Sequence, residues 1–381
     1  MSYKYTHFIP ENIAPTGAKN ILVCKNGKKV CSIPLGRLAQ PNRPKLYSFC
    51  ALSDIHLTYD TANEDFQRAL TYAEDNCAFT VIAGDLTSTG SITEGATNEM
   101  SLYKSIVTSY AKTKPVYAIS GNHETSYGVY ITDERIRPYT GNGLYYSFTK
   151  GSDVFIMLGH YGGYREGAGG WRSTEFLSNS KMTENPYAPN GVDELQFLYN
   201  ELEAHRNQRC FVFIHELPSA HGVGNPCNLY GQHSSASAIW NPNDGGLGKA
   251  IIDLLCHYKN SILFHGHSHT RFELQTLDPK ANYGEVVLTD GRRYKSIHIP
   301  SLSVPRDDDE GTGDKPLKDV YAESEGYVVD VYDDYIILNG RDFIDNDKDG
   351  NILPIATYKI DTTLQAILPN TFVDSTGIIE T

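Results

Sequence analysis

Apolar residues in this chain gather into short continuous runs that alternate with stretches of helical spacing. The runs cover 46–52, 79–83, 116–119, 154–158, 211–214 and 262–264. Runs this short and this apolar predict strands buried on both faces. Between them Phe66, Ala69, Leu70 and Ala73 stand at i, i+3, i+4 and i+7, the stripe of an amphipathic helix. The stripe returns at Tyr103, Ile106, Val107 and Tyr110, at Leu195, Leu198, Tyr199 and Leu202, and at Ile251, Leu254, Leu255 and Tyr258. Strand and helix in alternation predict an α/β domain over residues 45–300.

Residues 1–44 read as a separate small β element, with a hairpin turning at Asn26-Gly27 and a proline-bounded linker at 41–44. That turn would set residue 24 opposite 29 and 22 opposite 31, so a Cys24–Cys31 disulfide would be strained. Residues 301–381 read as a β-rich extension packed on the core, with a second hairpin at Asp333-Asp334. Two long stretches rich in Gly, Asn, Ser and Pro, 161–191 and 218–248, interrupt the alternation. Loops of such length are usually functional or disordered, and Arg165, Trp171, Arg172, Tyr187, Tyr230 and Trp240 within them suit a base and a phosphate as well as an ordinary surface loop with tucked aromatics.

Composition narrows the partners. No apolar run reaches the roughly 18 residues of a membrane-spanning helix, and residues 1–15 lack the apolar segment of a secretory signal. Seven cysteines with no CxxC pair fit free thiols in a reducing compartment, so a cytoplasmic location is expected. The net charge is −13, and fifteen acids against four basic residues lie between 307 and 349. Duplex nucleic acid needs a basic track, and none is visible. The expected partner is a small substrate, with neither duplex nor membrane; the oligomeric state is left open.

The chemistry lies where the strands end. Asp54-Ile55-His56 follows the first run, Gly84-Asp85 the second and Gly121-Asn122-His123-Glu124 the third; His215 ends the fifth and His265-Gly266-His267-Ser268-His269 the sixth. Ligands of open α/β sheets bind beyond the carboxyl ends of strands. Asp54, His56, Asp85, Asn122, His215, His267 and His269 make seven oxygen or nitrogen donors, too many for one tetrahedral ion. If one carboxylate bridges, they suffice for two ions with four protein ligands each. Gly84, Gly121 and Gly266 would remove a Cβ where the backbone must turn sharply beside the ions. Mixed donors suit Mn, Fe and Zn alike, as divalent or mixed-valence pairs.

The ordered blocks D-x-H, G-D, G-N-H-E, H and G-H-x-H resemble those of the calcineurin-like metallophosphoesterase superfamily, and their form is most similar to bacterial cyclic-nucleotide-type phosphodiesterases. The resemblance covers about 46–300. It implies a four-layer α/β/β/α sandwich of two mixed sheets with a dimetal site at the strand ends. It also implies that Asp54, His56, Asp85 and His269 hold one ion and that Asp85, Asn122, His215 and His267 hold the other, with Asp85 bridging. A hydroxide between the ions would attack a phosphoric ester, with His123 as acid or transition-state stabiliser. The tyrosine of purple acid phosphatases is Ser88 here, so no iron-tyrosinate colour is expected. What orients His123 is not legible.

Other candidates carry less. His265 reads as packed or supporting, and His160 as structural. His215-Glu216 lacks the second histidine of a zinc-protease helix, and Asp345-x-Asp347-x-Asp349 lacks the closing glutamate of a calcium loop. The alternative function is a scaffold or interaction protein on the same fold, since some relatives have lost their ligands; the N-terminal hairpin and tyrosine-rich loops faintly resemble phage-related metallophosphoesterases.

Overall fold

The computed structural model describes residues 44–58, 61–88, 94–125, 133–159, 194–215, 251, 254–267, 269, 272, 295–304 and 324–346, together with the strands in 20–34 and 352–380 and residue 362. The expected loops 161–191 and 218–248, His160, the turn residues Asn26 and Gly27, the acidic run at 307–310 and positions 347–350 lie outside the described residues.

Two sheets face each other. One runs β3 (Tyr47–Leu52), β4 (Thr80–Ala83) and β5 (Val116–Ile119) in parallel, and β11 (Glu325–Val331), β12 (Tyr335–Asn346) and β13 (Ile352–Asp361) extend it antiparallel from the β3 side. The other holds β7 (Asp153–Leu158), β8 (Cys210–Phe213), β9 (Ser261–His265) and β10 (Lys295–His298) in parallel, with β6 (Tyr145–Lys150) antiparallel at one edge. The pairing of β11 with β3, Val329 opposite Phe49, places strands from the stretch read as an extension inside the main sheet. β1 (Asn20–Lys25) and β2 (Lys28–Pro34) form the expected hairpin with Cys24 opposite Lys29, but a bulge after Val23 makes Val23, not Leu22, the partner of Cys31.

The strands are continuous apolar runs because each is covered twice. Phe49, Ala51, Phe155, Met157, Phe211 and Phe213 point between the sheets into one core, whose phenylalanine rings meet at 4.9–6.3 Å. The alternate residues Cys50, Leu52 and Ile82 turn outward to Phe66, Leu70 and Ala73 of α1 (Ala62–Asn76) and to Met100, Tyr103 and Ile106 of α2 (Glu94–Tyr110). Val154, Ile156, Val212 and Leu263 turn outward on the other side to Leu198, Leu202, Leu254 and Leu255. The result is the four-layer α/β/β/α sandwich. Far from the strand ends that matter below, Arg209 forks onto Asp153 at 3.0 and 2.7 Å, and Tyr47 donates to the same carboxylate. No helix among the described residues is long and apolar enough to cross a membrane.

Candidate metal centre

The carboxyl ends of β3, β4, β5, β8 and β9 open on one rim, and main-chain bonds stitch their loops together. Asp54 N donates to Gly84 O at 3.1 Å, Ile55 N to Asp85 O at 2.8 Å and Gly266 N to His215 O at 2.9 Å. The loop residues are held in strained backbone: Asp54, His56, Asp85, His267 and His269 all have φ between 48° and 70°. L-residues rarely adopt that region, and outliers of this kind gather where side chains must be aimed. Thr58, at 74°, is the remaining non-glycine case among the described residues.

The aimed side chains converge. Ligand atoms of Asp54, His56, Asp85 and His269 lie within 4.8 Å of one another, as do those of Asp85, His215 and His267. Asp85 belongs to both groups. Asn122 opens the short helix α3 (Asn122–Thr125) beyond β5, next to His123; its side chain lies outside the described residues. All six grouped residues are 5% exposed or less.

Hydrogen bonds to carbonyls show which way the imidazoles face. His215 Nδ1 donates to Ala83 O at 2.7 Å, and His269 Nδ1 donates to Val304 O at 2.8 Å. A carbonyl only accepts, so each Nδ1 carries the proton and each Nε2 turns its lone pair inward when the ring is neutral. There, His215 Nε2 meets His267 Nδ1 at 3.2 Å, and His269 Nε2 meets His56 Nε2 at 3.2 Å. Asp54 Oδ1 accepts no hydrogen bond, although imidazole nitrogens stand at 3.0, 3.8 and 3.9 Å from it. Two carboxylates and these inward-facing nitrogens share one buried site, an arrangement that is costly unless a proton or a cation supplies positive charge between them.

The proton equilibria show the same demand. Burial pushes His56 down to about 3. His215, equally buried, is nevertheless raised to about 9 because Asp85 and Asp54 draw positive charge onto it. Burial would raise both carboxyls, yet His269 and His215 hold Asp54 below the usual range, and His215 and His123 hold Asp85 well below it. The residues fit a pair of cations: the donors are hard oxygen and borderline nitrogen, dry, and oriented from behind.

Two glycine contacts show how tight the rim is. A Cβ on Gly84, whose φ is 92°, would lie 2.6 Å from His215 Nδ1, and one on Gly266 would overlap Ser53 Oγ and lie 2.6 Å from Asp54 Oδ2. At Gly266 the requirement is room and not a turn.

His123 is oriented by main chain. Its Nδ1 donates to Ser88 O at 2.9 Å, its ring lies edge-on to His56 at 4.6 Å, and its Nε2 stands 3.9 Å from Asp85 Oδ2. Asp85 Oδ1 accepts the His123 N–H at 2.9 Å. The side chain of His123 is 35% exposed, which leaves it reachable by a substrate. His265 is buried with its ring 5.3 Å from His298.

The sequence reading assigned no role to several contributors. Glu124 accepts from Thr87 N and Oγ1, each at 2.9 Å, and from Gly121 N at 2.7 Å, which ties α3 to the loop after β4. Burial, with Asp85 nearby, raises this acid to about 7. Ser301 Oγ donates to Asp54 O at 3.0 Å, and the same segment supplies the Val304 carbonyl behind His269. The only signal for that segment was its place directly after β10.

A sandwich of two mixed sheets that gathers buried carboxylates and imidazoles at its strand ends is the metallophosphoesterase architecture. The profile of the calcineurin-like phosphoesterase family matches residues 47–271, more than half of the sequence, and the chain belongs to that family. Similar solved structures include GAP50, the anchor in the inner membrane complex of Plasmodium, at 12% identity, covering 85% of this chain and 90% of that one with a TM-score of 0.49. A conserved predicted phosphoesterase from Streptococcus pneumoniae is 11% identical, with 83% and 97% covered and a TM-score of 0.31. Vacuolar Protein Sorting 29 from Cryptosporidium parvum is 12% identical, with 84% and 100% covered and a TM-score of 0.34. No curated protein matches significantly.

Proposed function

We propose that this protein is a binuclear metal hydrolase of phosphoric esters, acting on a small diester or nucleotide-like substrate. One observation carries the reading: two buried donor groups share Asp85, and in each a pair of imidazole nitrogens faces across 3.2 Å. Asp54, His56, Asp85 and His269 would hold one cation, and Asp85, His215 and His267, with Asn122, the other. When bound, such a pair supplies Lewis-acid polarisation of a phosphoryl oxygen and acidifies water. The chain's own residues do the rest. Ser88 O holds the Nδ1 proton of His123, so Nε2 is the atom turned to the substrate; as the imidazolium, with a second proton on Nε2, the ring gives that proton to the leaving oxygen or a hydrogen bond to the developing charge. The buried walls keep bulk water from screening these charges.

The acidic balance of the chain supports a small substrate over a polyanion. Mn, Fe and Zn all satisfy the donor set. The described cysteines Cys50, Cys77 and Cys210 are buried thiols with no disulfide, in keeping with the cytoplasmic site of action proposed here. Elemental analysis of the purified chain and a screen of mono- and diesters test the proposal. Two equivalents of metal are expected, with turnover of a chromogenic phosphodiester that falls about 10²–10⁴-fold in His123→Ala. Stable association with a large assembly and no hydrolysis of any ester would replace this reading with the scaffold one.

A further inference from the structure

We propose that Glu99 of α2 is the positioning residue for His123, acting through Ser88; the inference rests on the phosphoester reading above. Glu99 is 4% exposed, and its two oxygens serve two different loops. Oε1 accepts Thr58 Oγ1 at 2.6 Å, just past the loop that carries Asp54 and His56. Oε2 accepts the N–H of Ser88 at 3.2 Å, three residues beyond Asp85. Ser88 then reaches the site twice: its Oγ donates to His56 O at 2.6 Å, and its carbonyl receives the His123 Nδ1 proton at 2.9 Å.

The physical need for such an anchor follows from the kind of partner His123 has. A carbonyl oxygen cannot swing on a side chain to follow the ring, so it directs the ring only as firmly as its own loop is fixed. The loop after Asp85 is fixed at Thr87 by Glu124 and at Ser88 by Glu99. Glu99 is in turn rigid, because the next residue, Met100, and Tyr103 and Ile106 beyond it seat α2 in the core. Its second bond also holds Thr58 in strained backbone at φ 74°. The helix that connects the Asp85 loop to the His123 loop thus sets the direction of His123 Nε2 without touching the reacting atoms.

Two substitutions separate positioning from mere presence of an acid. In Glu99→Gln the amide oxygen can still accept from Ser88 N, and the amide nitrogen can donate to the Thr58 hydroxyl, so the geometry is kept. Glu99→Ala removes both bonds. For the full chain loaded with Mn and assayed on bis(p-nitrophenyl) phosphate, Glu99→Ala should lower kcat roughly ten- to a hundredfold, as expected for a small misplacement of a catalytic group. KM and metal stoichiometry should stay as in the parent, and Glu99→Gln should recover most of the rate. If Glu99→Ala does not fold, Glu99→Met, which keeps volume and accepts nothing, carries the same expectation.

A second readout needs no turnover. Long-range ¹H–¹⁵N spectra of the metal-free protein in mildly alkaline buffer should show His123 as the Nδ1–H tautomer in the parent and in Glu99→Gln, and a tautomer mixture in Glu99→Ala. An unchanged tautomer, an unchanged kcat, a Gln variant as poor as the Ala variant, or loss of rate together with metal would each overturn the proposal. A parent that hydrolyses no ester while its His123 tautomer still answers to Glu99 would sink the enzymatic reading and leave the positioning role standing.

Discussion

Replacing Gly84 with alanine adds one methyl group at the point where the two sheets meet behind the metal centre. The new Cβ would lie 2.6 Å from His215 Nδ1, 2.7 Å from its Cγ and 2.9 Å from Gly121 Cα, and Gly84 has a φ of 92°. A positive φ costs an L-residue about 1–2 kcal/mol. Overpacking of a filled site adds about 1–3 kcal/mol, so the variant should lose about 2–5 kcal/mol of stability. The backbone at Gly121 yields less readily than a side chain, so the imidazole moves, and its 2.7 Å bond to Ala83 O breaks. Loss of an orienting bond of this kind weakens a metal site by about 10–100-fold. His215 belongs to only one of the two donor groups, so the loss should fall on one cation and spare the one held by Asp54, His56 and His269. Thermal melting of the metal-free variant measures the first effect, and competition with a graded chelator resolves the two affinities. A variant with the parental Tm and both parental affinities, or one that weakens both sites equally, would refute the reasoning.

Asp85→Asn keeps an oxygen for the His123 N–H but removes the carboxylate common to both groups, so bound metal should drop from two equivalents to at most one; two retained equivalents by elemental analysis would remove Asp85 from the centre. Asp153→Ala strands the buried guanidinium of Arg209 and should cost about 3–5 kcal/mol in chemical denaturation, while metal stoichiometry stays unchanged because the pair lies away from the site; a parental midpoint would contradict this. Burial pushes the thiols of Cys77 and Cys210 up to about 12, so iodoacetamide should leave both unmodified in the native protein and label them in denaturant. Rapid native labelling of either would show that it is not buried.

Much of the fold was legible because the strands are buried on both faces. A run such as 154–158 has no polar face to disguise it, and the stripes at Phe66 and Tyr103 mark the helices that cover the sheet. β6 was missed because its half-exposed Tyr-Tyr-Ser-Phe-Thr-Lys lacks that density. The bulge after Val23 was missed because backbone register at a single step leaves no side-chain pattern.

By itself the sequence determined the kind of site: carboxylates, an amide and imidazoles each placed at the end of an apolar run, with glycines beside them. Chain connectivity carries that information, since a strand must deliver its last residues to the rim. Only the tertiary structure decided which donors share a space, because Asp54 and His269 stand more than two hundred positions apart and meet through strained turns. It also decided what stands behind them. The Ala83, Ser88 and Val304 carbonyls that orient three histidines belong to the main chain, which every residue possesses, so no choice of amino acid announces them.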